Sequence, residues 1–210
     1  EAVARGAFEC GVRFAAGYPG TPSTEILENI IKYEPIKAQW CPNEKVALEV
    51  AFGAATGGAR SIATMKHVGL NVAADPLFSA SYAGVNAGLV IISADDPGMH
   101  SSQNEQDNRW FAKAAKIPMF EPSDSQESKD FLKAAIELSE KYDTPVLLRM
   151  TTRISHSKTV VKIDEVIEPP KKTFTKNFQK NVLLPSNARH RHTFVEQRMR
   201  EIEHFNNNSS

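Results

Sequence analysis

Short apolar runs alternate with longer segments of helical periodicity along most of this chain. Six runs predict strands, at residues 12–16, 38–41, 61–65, 88–94, 118–121 and 145–150. Because parallel strands need crossover connections, which helices usually supply, this alternation predicts a mostly parallel sheet with helices on both faces. The predicted fold class is therefore α/β, with three layers.

Two of the helical segments differ in how their apolar residues are distributed. Residues 129–141 have the cleanest amphipathic pattern, with Leu132 and Ile136 facing inward and Lys129 facing outward. Residues 46–55 are apolar nearly all round, so we expect that helix to be buried against the sheet and against a second layer or a partner.

The alternation stops after about residue 153, which suggests a division of the chain. We assign residues 1–153 to one domain and residues 154–210 to a linker and C-terminal extension. A docking helix in the extension is indicated by an apolar stripe of Val195, Met199 and Ile202. The chain opens without methionine inside a helical pattern, so we expect it to be a piece of a longer protein.

Composition narrows the functional classes. Lys and Arg total 25 and Asp and Glu total 25, so no net field favours nucleic acid or an acidic membrane surface. The 2 cysteines lack metal-binding spacing, which favours a reducing compartment. No apolar run approaches the roughly 18 residues of a membrane span, and no secretory signal is visible. These features predict a cytoplasmic protein that binds neither nucleic acid nor membrane.

Polar loops follow several predicted strands, and ligands bind at the carboxyl ends of the strands in open parallel sheets. In the first loop, Thr21 can cap the next helix and Pro22 suits the first helical position. These two residue types are accounted for if they serve only to begin the helix. Alternatively, the Thr21 hydroxyl lies against an anionic group of a ligand, which the N-terminus of a helix favours.

The second loop places an acid, Glu44, in the first turn of an apolar helix. An Asn43 cap followed by a first-turn acid is ordinary helix chemistry. The apolar continuation, however, desolvates the carboxylate, which then needs a partner. A ligand atom could be that partner.

Two further loops carry candidate site residues. His67 is either a structural hydrogen-bond donor or a site residue, and Gly69 permits close approach of the backbone. A long polar loop begins at Asp95 and Asp96, which are either metal ligands or part of a turn, and contains His100, an acid–base candidate or a surface residue. The motifs of dinucleotide, P-loop, zinc-protease and α/β-hydrolase sites are absent, so no metal site is assigned.

Four segments, in chain order, carry a specific resemblance: YPGTPSTEI, NEKVALEVAFGAATGGAR, TMKHVGLNVAADPL and SADDPGMHSSQNEQDNR. Together they resemble the pyrimidine-binding domain of the thiamine-diphosphate-dependent 2-oxoacid:ferredoxin oxidoreductases, above all the alpha subunits of those that act on indolepyruvate. The resemblance covers residues 1–153 and implies the thiamine-diphosphate-binding fold of the pyrimidine-domain type.

The resemblance also implies roles for individual residues. Glu44 matches the catalytic acid that hydrogen-bonds N1′ of the aminopyrimidine of the cofactor and promotes its imino tautomer. His67 and Gly69 fall beside the same cofactor. Thr21 matches a hydroxyl that contacts the substrate, and His100 falls in a loop that lines the same cleft.

The activity implied is oxidative decarboxylation of indolepyruvate or a related aryl pyruvate to the acyl-CoA, with electrons passed to ferredoxin. Asp95 stands near the position where pyruvate-selective relatives carry an arginine, which favours an aryl pyruvate over pyruvate. The alternatives are a 2-oxoglutarate or branched-chain oxoacid enzyme, and a non-catalytic assembly domain on the same scaffold.

The resemblance further implies that this chain holds half of an active site. The Gly-Asp-Gly motif for diphosphate and Mg²⁺ is missing, as are the cysteine clusters for iron–sulfur centres. We therefore expect Mg²⁺ and the clusters to bind outside this chain, in the remaining domains of its subunit and in a second subunit of an oligomer.

Overall fold

The computed structural model describes residues 1–208 and contains a six-stranded sheet. The strands are β1 (Phe14–Gly17), β2 (Lys37–Trp40), β3 (Ser61–Lys66), β4 (Leu89–Asp95), β5 (Met119–Phe120) and β6 (Val146–Thr151). All neighbours pair in parallel, in the order β2-β1-β3-β4-β6-β5. The six predicted strands and the α/β class are confirmed.

Helices cover both faces of the sheet. They are α1 (Ala2–Glu9), α2 (Thr24–Ile30), α3 (Glu44–Thr56), α4 (His67–Val72), α5 (Ala74–Ala83), α6 (Arg109–Ala115), α7 (Ser125–Tyr142), α8 (Thr152–His156), α9 (Phe178–Asn181) and α10 (Pro185–Asn207). Successive residues of β4 point to opposite faces, so Val90 packs into the core beneath α1, α2 and α7, and Ile91 into the core beneath α3, α5 and α6. The predicted three layers are confirmed.

Helix α3 is buried mainly on one side. Ala47, Leu48 and Ala51 are buried where it crosses β1 and β3, while Val50 and Phe52 are half-buried against the same core. Helix α5 packs beside it on the same face of the sheet, and the second layer or partner expected over the outer side of α3 stays a prediction. The sheet therefore fixes the start of α3, and with it Glu44, at one edge.

The position of Lys129 on α7 differs from the one predicted from the sequence. The helical pattern places it outward, and this prediction is wrong, because Lys129 is 0% exposed. Its ammonium group contacts Glu9 of α1 at 3.0 Å and Asp164 of the extension at 2.5 Å. Gly6 allows this close approach, since a Cβ there would lie 2.7 Å from the Lys129 carbonyl oxygen. A buried ion cluster thus joins α1, α7 and the extension.

We expect Lys129→Met to lower the free energy of unfolding by about 3 kcal/mol, the lower end of the range for breaking a buried ion pair. The substitution removes one cation beside Glu9, while Arg5 and Lys133 still contact that carboxylate. Urea unfolding at neutral pH measures the change, with the exposed Lys176→Met as control. A decrease in the free energy of unfolding below about 1 kcal/mol would show that the cluster stabilises the fold no more than a surface ion pair does.

The same cluster predicts a pH dependence. Burial would raise the pKa of Glu9, but hydrogen bonds from Arg5, the Asp164 N–H and Lys129 outweigh it and hold the pKa below its usual range. A carboxyl group with a lowered folded pKa stabilises the fold above its unfolded pKa of about 4.3, and this contribution is lost as the pH falls. Lys129→Met is therefore expected to flatten the acid side of the stability profile.

The C-terminal extension lies on the domain. The Ile167 N–H donates to the Glu9 carbonyl oxygen at 2.8 Å, and Lys180 contacts Asp143 at 2.7 Å. Helix α10 packs on α5, with Val195 buried as its apolar stripe predicts. The division at residue 153 stays a prediction.

Arg198 is an anchor of α10 that the apolar stripe does not reveal. It is 2% exposed, and its guanidinium donates to the carbonyl oxygens of Ser81 at 3.1 Å, Asp143 at 2.9 Å and Lys116 at 3.3 Å. Burial lowers its pKa to about 10.

Within residues 1–208, no helix is both long and apolar enough to cross a lipid bilayer.

Candidate active site

The carboxyl ends of β1, β2, β3 and β4 meet at one edge of the sheet. Gly17, the last residue of β1, pairs with Trp40 at the end of β2 and with Thr64 in β3. All four polar loops of the sequence analysis follow these strands. The parallel topology therefore collects them at the edge where such sheets bind ligands.

Glu44 begins α3 directly after the β2 loop. Asn43 is the cap of the helix, and its side chain accepts the Val46 N–H at 2.9 Å, so Glu44 is not needed for capping. Glu44 is 9% exposed. Within residues 1–208 its carboxylate makes no hydrogen bond or ion pair. A largely buried acid without a protein partner is unusual, because buried polar groups are normally hydrogen-bonded, and it is the property expected of a ligand-binding group.

Gly69 of α4 lies against the Glu44 carboxylate. A Cβ built on Gly69 would fall 2.5 Å from both Cγ and Oε1 of Glu44. Any larger residue would displace the acid, so the backbone of α4 forms one wall of the Glu44 environment. Glu44 and Gly69, which the sequence resemblance assigns to one cofactor, are thus in direct contact.

His67 is the first residue of α4 and is 0% exposed. Its Nε2 lies 3.2 Å from the Asn104 carbonyl oxygen. Because a carbonyl only accepts, Nε2 is the donor in this contact, and Nδ1 is buried without a partner in the described residues. The His67 carbonyl oxygen accepts from Gln106 and Asn108, both at 3.1 Å. His67 therefore fastens the loop after β4 over the start of α4.

Asp95 is occupied by a buried ion pair. Its carboxylate accepts from Arg149 Nε at 2.7 Å, from the Ser93 hydroxyl at 2.8 Å and from the Asn108 N–H at 3.0 Å. It is fully buried, so it holds the loop base and presents no oxygen to the cleft. The link between Asp95 and the choice of an aryl pyruvate stays a prediction.

Asp96 organises the same loop. It accepts from the Ser101 N–H at 2.8 Å, the Ser102 hydroxyl at 2.5 Å and the Thr152 hydroxyl at 2.7 Å. Burial would raise its pKa, but these hydrogen bonds outweigh it and hold the pKa of Asp96 well below its usual range. No group of three or more His, Cys, Asp or Glu within residues 1–208 is placed to hold a metal.

Thr21 does not cap α2, so that prediction is wrong. The helix begins at Thr24 with Ser23 as its N-cap, after a cis bond between Thr21 and Pro22. The turn closes on itself, because the Ser23 hydroxyl donates to the Gly20 carbonyl oxygen at 2.6 Å and the Gly20 N–H donates to the Thr24 hydroxyl at 2.9 Å. Thr21 is exposed and its hydroxyl remains available.

His100 lies in a neighbouring pocket. It lines a cavity of about 610 Å³ at the ends of β4 and β6, together with Arg153 and His156. Glu44, Gly69 and Thr21 do not line it. The structure therefore gathers Glu44, His67 and Gly69 around the start of α4 and places His100 to one side. The binding roles of these five residues stay predictions.

Comparison with known proteins identifies relatives along the whole chain. Residues 5–206 match the family model of the pyruvate flavodoxin/ferredoxin oxidoreductase thiamine diphosphate-binding domain. The chain is 47% identical to indolepyruvate oxidoreductase subunit IorA of Archaeoglobus fulgidus, over 100% of this chain and 35% of that protein. It is 50% identical to IorA of Methanothermobacter thermautotrophicus, over 96% of this chain and 33% of that protein. The chain thus spans about a third of the length of these relatives.

More distant relatives share the architecture. The 2-oxoglutarate synthase subunit KorA of Methanothermobacter marburgensis is 31% identical over 80% of this chain and 47% of that protein. The solved 2-oxoglutarate:ferredoxin oxidoreductase from Magnetococcus marinus superposes with a TM-score of 0.74 at 16% identity, covering 97% of this chain and 44% of that one. That likeness confirms the fold. Since the family model covers nearly the whole chain, the resemblance read from the four motifs is confirmed, and the chain belongs to the thiamine diphosphate-binding domain family of the pyruvate flavodoxin/ferredoxin oxidoreductases.

Proposed function

We propose that this chain is the pyrimidine-binding part of an enzyme that oxidatively decarboxylates indolepyruvate or a related aryl pyruvate to the acyl-CoA and reduces ferredoxin. The observation that carries the proposal is the buried Glu44 carboxylate, which has no partner among the described residues and is held against the backbone of Gly69. Relatives named indolepyruvate oxidoreductase, at 47% and 50% identity, support the choice of substrate.

The arrangement around α4 fits the pyrimidine end of thiamine diphosphate. When bound, that cofactor supplies a carbon nucleophile and an electron sink for the decarboxylation of a 2-oxoacid. Glu44 would share a proton with a ring nitrogen of the pyrimidine, and its burial strengthens such a hydrogen bond. Gly69 leaves room for the acid to stand beside α4. The loop fastened by His67 covers this corner and helps to keep water out.

The remaining chemistry is assigned to other parts of the protein. Mg²⁺, the iron–sulfur clusters, coenzyme A and ferredoxin would bind the rest of the subunit and a second subunit in an oligomeric assembly. Two observations support this: the diphosphate motif is missing, and Cys10 and Cys41 are both buried and free. Free thiols also support a cytoplasmic location.

The proposal is tested with the full-length protein and its partner subunit under anaerobic conditions. We expect coenzyme A-dependent ferredoxin reduction that requires thiamine diphosphate, with kcat/KM for indolepyruvate about 10-fold or more above that for pyruvate or 2-oxoglutarate. Preference for 2-oxoglutarate would establish the runner-up, which the KorA likeness supports. Failure to bind thiamine diphosphate and to turn over any 2-oxoacid would leave an assembly domain.

The half-site proposal predicts weak cofactor binding by residues 1–210 alone. We expect a Kd for thiamine diphosphate no tighter than about 0.1 mM in calorimetry with Mg²⁺ present, because Glu44 contacts only the pyrimidine and the diphosphate lacks its site. The complete assembly, measured alongside, should bind far more tightly. A low-micromolar Kd for the isolated chain would contradict the half-site.

A further inference from the structure

A 2-oxoacid substrate is an anion, so its binding in a partly buried cleft needs a cation. Two arginines near the carboxyl edge of the sheet already have acidic partners. Arg149 contacts Asp95 and Glu121, both at 2.7 Å, and Arg109 contacts Asp107 at 2.8 Å. These guanidinium groups are neutralised and committed to the loop after β4.

Lys66, the last residue of β3, differs from them. Its ammonium donates to the Ser101 carbonyl oxygen at 2.7 Å, a neutral acceptor, and within residues 1–208 it has no carboxylate partner. An ammonium has three donors, so two remain. The full positive charge of Lys66 is thus available to a ligand.

The position of Lys66 relates it to both predicted binding groups. Its aliphatic stem packs on Gly20, where a built Cβ would lie 3.0 Å from the Lys66 Cβ, and Gly20 directly precedes Thr21. Lys66 also directly precedes α4, so less than one helical turn separates it from Gly69, which touches Glu44. The charge therefore lies between the Thr21 loop and the loop after β4, on the edge that carries Glu44.

We propose that Lys66 is the positioning residue that binds the carboxylate of the 2-oxoacid, with the Thr21 hydroxyl beside it. This assignment rests on the proposed function and names the group that selects an anionic substrate. The substrate keeps its carboxylate until CO₂ leaves, so the attraction stabilises the bound substrate and the preceding addition to its keto carbon by a similar amount. Loss of Lys66 should therefore raise KM and change kcat little.

The experiment compares Lys66→Met and Lys66→Arg in the full-length protein with its partner subunit. We expect Lys66→Met to raise KM for indolepyruvate about 10- to 100-fold, the loss of one charged hydrogen bond, with kcat within about 3-fold. Lys66→Arg should recover most of the affinity, because it keeps the charge. Lys32→Met, which removes a positive charge from the exposed turn after α2, is the control and should leave both constants unchanged.

A probe without a carboxylate separates substrate binding from loop support. Indole-3-acetaldehyde keeps the ring and the carbonyl group, so its inhibition constant should be equal in wild type and Lys66→Met. Equal weakening of the aldehyde and of indolepyruvate would instead assign Lys66 to holding Ser101. A weaker Kd for thiamine diphosphate with unchanged KM would assign it to the cofactor.

Two other results would overturn the assignment in distinguishable ways. If wild type turns over indolepyruvate and Lys66→Met has the same KM while Arg153→Met raises it, the carboxylate site lies in the pocket of His100. If wild type turns over no 2-oxoacid, the proposed function fails, and the role of Lys66 fails with it.

Discussion

Glu44→Ala in the full-length protein is expected to abolish 2-oxoacid turnover, with a loss of at least about 10²–10⁴-fold in kcat. The substitution removes the buried acid at the start of α3 that lies against Gly69. Anaerobic ferredoxin reduction by the assembled protein measures the loss. Glu44→Gln, which keeps the size of the side chain and removes its charge, is expected to have a loss of similar order.

The fold should survive Glu44→Ala. The carboxylate has no hydrogen-bond partner among the described residues and Asn43 caps the helix, so we expect the free energy of unfolding to change by less than about 1 kcal/mol. Glu49→Ala on the same helix is the matched control, since Glu49 is exposed and lies 3.8 Å from Lys45. It should keep turnover within about 2-fold. Near-normal turnover by Glu44→Ala would remove this acid from the mechanism.

The sequence predicts those parts of the fold that depend on local periodicity. All six strands were recognisable as short runs separated by helix-length segments, and the runs of β1, β3, β4 and β6 are apolar because these strands are buried. The burial of Lys129 was not recognisable from the sequence, because its partner Glu9 lies 120 residues away along the chain. The Asp95–Arg149 pair, 54 residues apart, was missed for the same reason. Periodicity predicts which face of a helix a residue lies on. A charged partner that is distant along the chain can bury a residue that this pattern places outside.

The site was predictable to a similar extent. The apolar run after Glu44 predicts a buried position for this acid, but residue types alone left ordinary helix chemistry as an alternative. The structure adds that the Glu44 side chain lies against Gly69, an arrangement that depends on how α3 and α4 pack and that the sequence does not show. Thr21 was wrongly predicted as the cap of α2, because the polar groups of the turn at Gly20 and Ser23 hydrogen-bond within the turn and the helix begins later. No role was predicted for Lys66, since its lack of an acidic partner is visible only in three dimensions.

Gly69→Ala is expected to lower turnover by about 10²-fold or more and to weaken thiamine diphosphate binding in the full-length protein, without unfolding it. The new methyl group would lie 2.5 Å from Oε1 of Glu44, far inside van der Waals contact. A flexible side chain yields more easily than two packed helices, so the carboxylate moves away from its site. Alanine also favours helix over glycine by about 1 kcal/mol, which offsets part of the strain.

Gly53→Ala separates the effect on the acid from the effect on helix propensity. Gly53 lies in α3, and a Cβ there would meet no atom within 4 Å. It should raise stability by up to about 1 kcal/mol and leave turnover unchanged. In a Glu44→Ala background, Gly69→Ala should change the Kd for thiamine diphosphate no further, because the group that it displaces is gone. Additive losses would mean that Gly69 contacts the cofactor itself, whereas normal turnover by Gly69→Ala would show that the carboxylate can act from a displaced position.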